Sequence, residues 1–332
     1  MYWNPARILS YDRLFNFVVG GRGIGKTYGM KKFCINNYFN KNEEFIYLRR
    51  YKEEIKPLKG FKFFESIAKE YPEVELKTEG ERLVWRYPDE KWATMGYLTN
   101  LSTALTKKSV DYSNVTTIIY DEFIIPKGFI HYLPNEVESF LDFYETVARM
   151  RDNVRVFFLS NAISAYNPYF SYFNIKVPKE GQFYKDKEIV LEMCSMEDFK
   201  QKKRDTRFGK LISGTKYANY AIENDFYLDN NEFIAERPSN AKYYCTVFYR
   251  GHTLGIWADF REGKFYVSKK HDKNFPLSYA LTQQDHTINT LYTKIKVPVK
   301  LKTLSQAYSY GVLFFESQEV KGMFTEALEL IK

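Results

Sequence analysis

Short apolar runs alternating with amphipathic stretches organise the first two hundred residues of the chain. Phe15–Val19, Phe45–Leu48, Thr117–Tyr120, Val156–Leu159 and Ile189–Met193 are too short for helices and largely apolar. Runs of that kind predict strands buried on both faces, as in a mostly parallel sheet. Helical patterns lie between them, giving the order of βαβ units and an α/β fold. The clearest helix begins in "PNEVESFLDFYETVARMR", where Val137, Phe140, Leu141, Tyr144 and Ala148 share a face. Asn135, followed three residues later by Glu138, predicts a capping box at its start.

The pattern changes twice further on. From Ser195 to Asn224 the chain is basic and punctuated by glycine, which predicts a small lid or linker. Beyond the polar "YLDNNEFIAERPSN" it becomes antiparallel, with Tyr243–Tyr249, Thr253–Phe260 and Lys264–Ser268 separated by Arg-Gly-His and Arg-Glu-Gly turns. A closing helix places Val320, Met323, Phe324, Ala327, Leu328 and Ile331 on one face. The expected domains are therefore 1–195, 196–228 and 229–332, the last α+β. No repeat at solenoid spacing is present.

Composition narrows the class. With 332 residues, 45% of them apolar and 18% aromatic, the chain can bury a sizeable core and is not a disordered protein. No apolar run reaches the length of a membrane span, and the start "MYWNPARILSYDRLF" lacks the pattern of a secretory signal. Cys34, Cys194 and Cys245 lie far apart and there are four histidines. That argues against a disulfide framework or zinc cluster and for an intracellular, reducing setting. The net charge of +8 suits either ordinary solubility or a polyanionic partner, and charge alone does not choose.

The candidate chemistry starts in "FVVGGRGIGKTYGM". Gly20, Gly21, Arg22, Gly23, Ile24, Gly25, Lys26 and Thr27 fit the Walker A spacing of a P-loop NTPase, after a strand and at the start of a helix. Glycines let successive N–H groups converge on phosphates, and the helix N-terminus adds its dipole. Lys26 is assigned to the β- and γ-phosphates of ATP and Thr27 to Mg²⁺. "VTTIIYDEF" ends a strand in Asp121 and Glu122. On its own the pair reads as solvated carboxylates. Beside a Walker loop, Asp121 becomes the Mg²⁺ carboxylate, largely through water, and Glu122 the catalytic base or water-positioner.

"VRVFFLSNA" ends in Ser160 and Asn161, which either sense the γ-phosphate or cap a following helix. Arg149 and Arg151 stand at the C-terminal end of the predicted helix, where its dipole favours cations. The sharper reading makes one of them, Arg149 first, an arginine finger for a neighbouring subunit, an effect worth about 10³–10⁵ in rate.

These residues, in this order, resemble the DNA-packaging motor ATPases of phi-29-like tailed bacteriophages. The stretches that carry the likeness run nearly end to end: "NPARILSYDRLFNFVVGGRGIGKTY", "FIYLRRYK", "NVTTIIYDEF", "LPNEV", "LSNAISAYNPYF", "TRFGKLISGTKY" and "GHTLGIWADF". The resemblance implies an additional-strand P-loop ATPase related to terminases, acting as a ring, usually of five subunits. It implies double-stranded DNA, the portal of an empty head and a structural packaging RNA as partners. The setting it implies is the host cytoplasm during assembly, not the mature virion. It further implies an RNase H-like C-terminal domain without nuclease activity. Asp259 and Asp285 agree, lacking the dense acidic cluster that a two-metal nuclease needs. The candidate DNA contacts are Arg49, Arg50, Lys52, Lys107, Lys202, Lys203, Arg204 and Arg207, while Lys56 and Lys108 are candidates to reach the next subunit's nucleotide. Alternatives are a terminase-like motor with a live nuclease and a nucleotide-gated clamp without turnover.

Overall fold

The computed structural model describes residues 2–104, 110–125, 132–164, 167–215, 217–218, 222, 233–293 and 297–331. Two compact units emerge, Met1–Leu228 and Asp229–Lys332.

The first unit is built on nine strands: β1 Phe15–Gly20, β2 Glu44–Arg49, β3 Glu75–Glu79, β4 Arg82–Arg86, β5 Ala93–Asn100, β6 Val115–Asp121, β7 Arg155–Asn161, β8 Phe183–Asp186 and β9 Ile189–Met193. Their order is β3-β4-β5-β2-β6-β7-β1-β9-β8. The six strands from β5 to β9 in this order run parallel, and antiparallel pairings at the two ends add β3, β4 and β8. This is the α/β architecture expected from the apolar runs. Every residue of β1 is buried because both faces of the sheet are covered. Phe17 stacks on Phe158 at 4.3 Å between ring centroids and packs with Phe123 and Phe140 in the core on one face. Val18 faces the other core, with Met30 and Ile35 of helix Lys26–Lys41, Phe45 and Phe63. The layers fix the sheet's register, and the register brings the carboxyl ends of β1, β2, β6 and β7 together.

The second unit carries β10 Lys242–Tyr249, β11 His252–Asp259, β12 Lys264–Ser268, β13 Ser278–Ala280, β14 Leu291–Tyr292 and β15 Leu313–Phe315, ordered β14-β13-β10-β11-β12-β15. The first three are antiparallel, and β13 and β14 run parallel to β10. That is RNase H-like strand order, although residues 269–277, between β12 and β13, form no helix. Arg250 and Gly251 both take positive φ, making the tight β10–β11 turn. Helix Gln318–Glu329 buries Val320, Phe324, Ala327 and Leu328 as its periodicity requires.

One local expectation is corrected. Helix Glu136–Ala148 forms, but Asn135 is left-handed and its side chain caps nothing. The neighbouring Glu136 accepts the N–H of Leu133, ahead of the helix, at 2.8 Å.

Candidate nucleotide site

The glycine-rich loop leaves β1 at Gly20 and becomes helix at Lys26. Gly23 and Gly25 have φ of 89° and 92°, the left-handed region in which a side chain is strained. The other glycines have different reasons. A Cβ on Gly20 would lie 2.6 Å from that of Cys194, and one on Gly29 would lie 2.9 Å from the Trp3 carbonyl. Gly20 is thus also required by packing against the residue that follows β9. Ile24 points inward and is buried, and its carbonyl accepts the Trp3 N–H at 2.8 Å. The N-terminal segment is strapped beneath the loop, with the Trp3 indole N–H donating to Glu192 at 3.1 Å.

Lys26 is buried, and its Nζ donates to the carbonyls of Gly20 (3.0 Å) and Gly21 (2.8 Å) and to Asn161 Oδ1 (3.3 Å). Burial pushes its pKa down to about 8, opposed in part by Cys194 and Asp121. Asn161 ends β7 in register with Gly20. Of its two expected readings, sensing the γ-phosphate is the one compatible with this contact to Lys26. Helix capping is excluded, because the next helix, Pro168–Tyr172, is capped by Asn167. Ser160 is turned away, its hydroxyl donating to Ile124 O and Asn161 O.

Asp121 receives three donors. Thr27 Oγ1 reaches its Oδ2 at 2.9 Å, the Tyr47 hydroxyl reaches the same oxygen at 2.5 Å, and the Glu122 N–H reaches Oδ1 at 3.0 Å. A carboxylate has roughly four acceptor positions, so these bonds fix Asp121 and leave room for a further ligand. The Thr27 oxygen, donating its single proton to Asp121, keeps its lone pairs. The two residues expected at Mg²⁺ are therefore in contact, and their donor set fits a hard cation.

Glu122 follows β6 with φ of +57° and a side chain 58% exposed. Its carboxylate lies 2.6 Å from Arg49 Nη2, which also holds Glu54 at 3.1 Å. Arg49 is thus part of the nucleotide site, which corrects its expected role as a DNA contact. Tyr47 and Lys31 were missed by sequence reasoning. Tyr47 precedes Arg49 by two, so both side chains face the helix that follows the glycine loop, and that spacing was the available signal. Lys31, on that helix, is buried with its ammonium over the Phe63 ring at 3.9 Å, and burial pushes its pKa down to about 8.

The remaining cations separate clearly. Arg50 is 1% exposed and salt-bridged to Glu136, which rules it out as a DNA contact. Arg151 donates to four main-chain carbonyls, those of Tyr112 (2.9 Å), Ser113 (2.6 Å), Val115 (2.8 Å) and Val147 (2.7 Å). Its guanidinium is occupied within the subunit, which corrects its placement as a finger. Arg149 is exposed beside Met150, itself 97% exposed. Lys52, Lys56, Lys202 and Arg207 are exposed, Lys56 pairing with Glu53. Arg204 pairs with Glu197, and Lys203 Nζ approaches the Arg22 carbonyl at 3.5 Å. Lys107 and Lys108 lie outside the described residues.

In the second unit, Asp259 accepts the Arg261 and Glu262 N–H groups and the Asn240 amide. Asp285 accepts the Gly251 N–H and the Thr282 hydroxyl. Asp259 is tied to the turn after β11 and to Asn240, and Asp285 to the β10–β11 turn; among the described residues no group of three or more His, Cys, Asp or Glu side chains could hold a metal. No helix among them is long and apolar enough to cross a membrane.

Comparison with known proteins agrees with this geometry. The chain is 39% identical over 327 residues to the DNA packaging protein of Bacillus phage phi29, covering 98% of this chain and 96% of that protein. It superposes on a chain of the bacteriophage Phi-29 viral genome packaging motor assembly with a TM-score of 0.73 and 37% identity, covering 100% of this chain and 99% of the other. It also matches the N-terminal domain of the DNA packaging ATPase from bacteriophage phi29, with 42% identity, a TM-score of 0.54 and coverage of 60% and 98% respectively. Residues 1–331 match the Podovirus DNA encapsidation protein (Gp16) family, and the chain belongs to it.

Proposed function

We propose that this chain is the ATPase subunit of a phage DNA-packaging motor, hydrolysing ATP with Mg²⁺ to move double-stranded DNA into an empty head. The observation that carries the reading is the meeting of Lys26, Thr27, Asp121, Glu122 and Asn161 at the carboxyl ends of β1, β6 and β7. Bare amides and Lys26 would hold the triphosphate, and Asn161 would report on its terminal group through Lys26. Thr27 and Asp121 would hold the metal, which when bound neutralises charge on the β- and γ-oxygens. Glu122 would orient and deprotonate the attacking water once Arg49 yields its carboxylate.

A ring, with five subunits as its expected number, follows from assigning Arg149 to act in trans. The stretch 196–228 would serve as a lid over the loop. Phe199 lies 3.3 Å from where a Cβ on Gly23 would stand, and Lys203 approaches Arg22. Residues 229–332 would serve the motor without nuclease activity. DNA, the portal and a packaging RNA are the proposed partners, and the host cytoplasm the proposed setting. Lys52, Lys56 and Arg207 remain exposed for such contacts.

The test is phosphate release by the assembled protein with DNA. Glu122→Gln should reduce it to a small residual rate. Arg149→Ala should reduce it, and mixing Arg149→Ala with Glu122→Gln subunits should restore it. Nucleotide retained without turnover in the wild type would leave a gated clamp, and no rescue on mixing would remove the finger from Arg149.

A further inference from the structure

Arg50 and Glu136 form an ion pair with both side chains fully buried. Two charges taken out of water are stable only with tight geometry and further hydrogen bonds. Glu136 has them: Arg50 Nε at 2.7 Å and Nη2 at 2.8 Å, the hydroxyls of Tyr120 at 2.9 Å and Tyr169 at 3.0 Å, and the Leu133 N–H at 2.8 Å. The other bonds of Arg50 satisfy its remaining N–H groups, and they fall on one piece of main chain. Its Nη1 donates to the Glu122 carbonyl at 3.2 Å and its Nη2 to the Phe123 carbonyl at 2.7 Å. Those carbonyls belong to the turn in which Glu122 is held left-handed.

The last residue of β2 and the one that follows it therefore grip one glutamate in two ways. Arg49 takes its carboxylate, while Arg50, from the opposite face, takes its main chain. Glu136 opens helix Glu136–Ala148, and the far end of that helix presents Arg149. A pair needed for stability alone could be replaced by apolar side chains at little cost. The remaining N–H groups of Arg50 need acceptors in any case, but here both acceptors lie in the Glu122 turn, which ties the pair to that residue.

We infer that Arg50 and Glu136 are positioning residues for hydrolysis. They set the turn that aims the Glu122 carboxylate, and they tie that turn to the helix bearing Arg149. The inference rests on the ATPase reading above. Arg50→Lys keeps the charge but lacks the planar fork that spans a carboxylate and two carbonyls, and Glu136→Gln keeps the shape without the charge. In assembled protein with DNA, either change should lower kcat by about a hundredfold, as misplacing a reacting group does. KM for ATP and nucleotide affinity, set at the glycine loop, should stay unchanged. Because Arg50 acts through Glu122, Arg50→Lys should add no loss to the residual turnover of Glu122→Gln.

Variants with a lower melting temperature but wild-type kcat per folded subunit overturn the inference, as do losses that multiply with Glu122→Gln. Should neither variant fold, Tyr120→Phe with Tyr169→Phe loosens Glu136 while leaving the ion pair. Lower kcat at unchanged KM then supports positioning, and unchanged kcat refutes it. A wild type without turnover sinks the ATPase reading first. A wild type slowed by Glu122→Gln but indifferent to these changes sinks the positioning role of Arg50 and Glu136 alone.

Discussion

Arg149 and Arg151 stand two residues apart and should respond in opposite ways to substitution. Ala148 O accepts the Arg151 N–H at 2.9 Å, closing a turn in which Arg149 holds φ 52° and ψ −117°. That is glycine's territory, and a side chain there costs about 1–3 kcal/mol. Arg149→Gly relieves this cost but adds backbone freedom to the unfolded chain, about 0.5–1 kcal/mol. The expected net is a gain of about 1 kcal/mol, or roughly 2–4 °C in melting temperature for a unit of this size. Turnover of the assembled ring should nonetheless collapse, because the guanidinium is gone. Arg151→Ala removes four hydrogen bonds from a charged donor and should cost about 2–4 kcal/mol, roughly 6–12 °C. Per folded subunit it should leave turnover nearly intact. Calorimetry on the unassembled protein and phosphate release from the assembled ring measure the two effects separately. If Arg149→Gly is less stable than wild type, the strain argument is wrong. If it also keeps full turnover, the residue has no catalytic part.

Three further outcomes follow from the site. Tyr47→Phe deletes the 2.5 Å bond to Asp121 and should raise the Mg²⁺ concentration for half-maximal ATPase by about 10–100-fold, so an unmoved Mg²⁺ titration removes Tyr47 from the metal site. Lys31, ordinarily titrating at 10.5, is held near 8 by burial, so the folded state sheds its proton before the unfolded state does. Its destabilising cost is full below pH 8 and relieved towards pH 10.5, about 3 kcal/mol in all. Lys31→Met should flatten that rise in chemical-denaturation stability, and an identical pH slope would refute the assignment. Gly20→Ala should destabilise by about 1–3 kcal/mol through its clash with Cys194, with part of the loss recovered in a Cys194→Gly background. No recovery in thermal melts would point away from packing.

What the sequence disclosed depended on how local the cause was. The largely apolar runs of β1, β2, β6, β7 and β9 were legible because a strand covered on both faces needs no partner to declare itself. β3 and β4, "ELKTE" and "RLVWR", were missed as charged stretches. Yet Leu76 and Thr78 are buried in alternation with more exposed neighbours, so a period of two was present. The cap at Asn135 misled because its backbone is left-handed, and the next residue's carboxylate is fixed by an arginine 86 positions away. Arg50 looked like Arg49 for a similar reason. Alternation places them on opposite faces, but only tertiary packing supplies the acid that lets one of them be buried.

That difference between neighbours depends on a single irregularity. Glu44 of β2 pairs with Val115 of β6, but Phe45 pairs with Thr117, so β6 carries one extra residue at its start. Everything downstream inherits the shift, including Leu48 opposite Tyr120 and hence Arg49 and Arg50 beside Asp121 and Glu122. Side chains alternate along a strand, so a register one residue different would exchange the faces seen by one strand relative to the other. Arg50 would then face the carboxylate cluster and Arg49 the buried Glu136. The bulge is favoured because the apolar residues of both strands must still match two separate cores, Ile46 and Ile118 on one face, Phe45 and Ile119 on the other. Core packing chooses the register, and the register decides which arginine meets the Glu122 carboxylate and which meets its main chain.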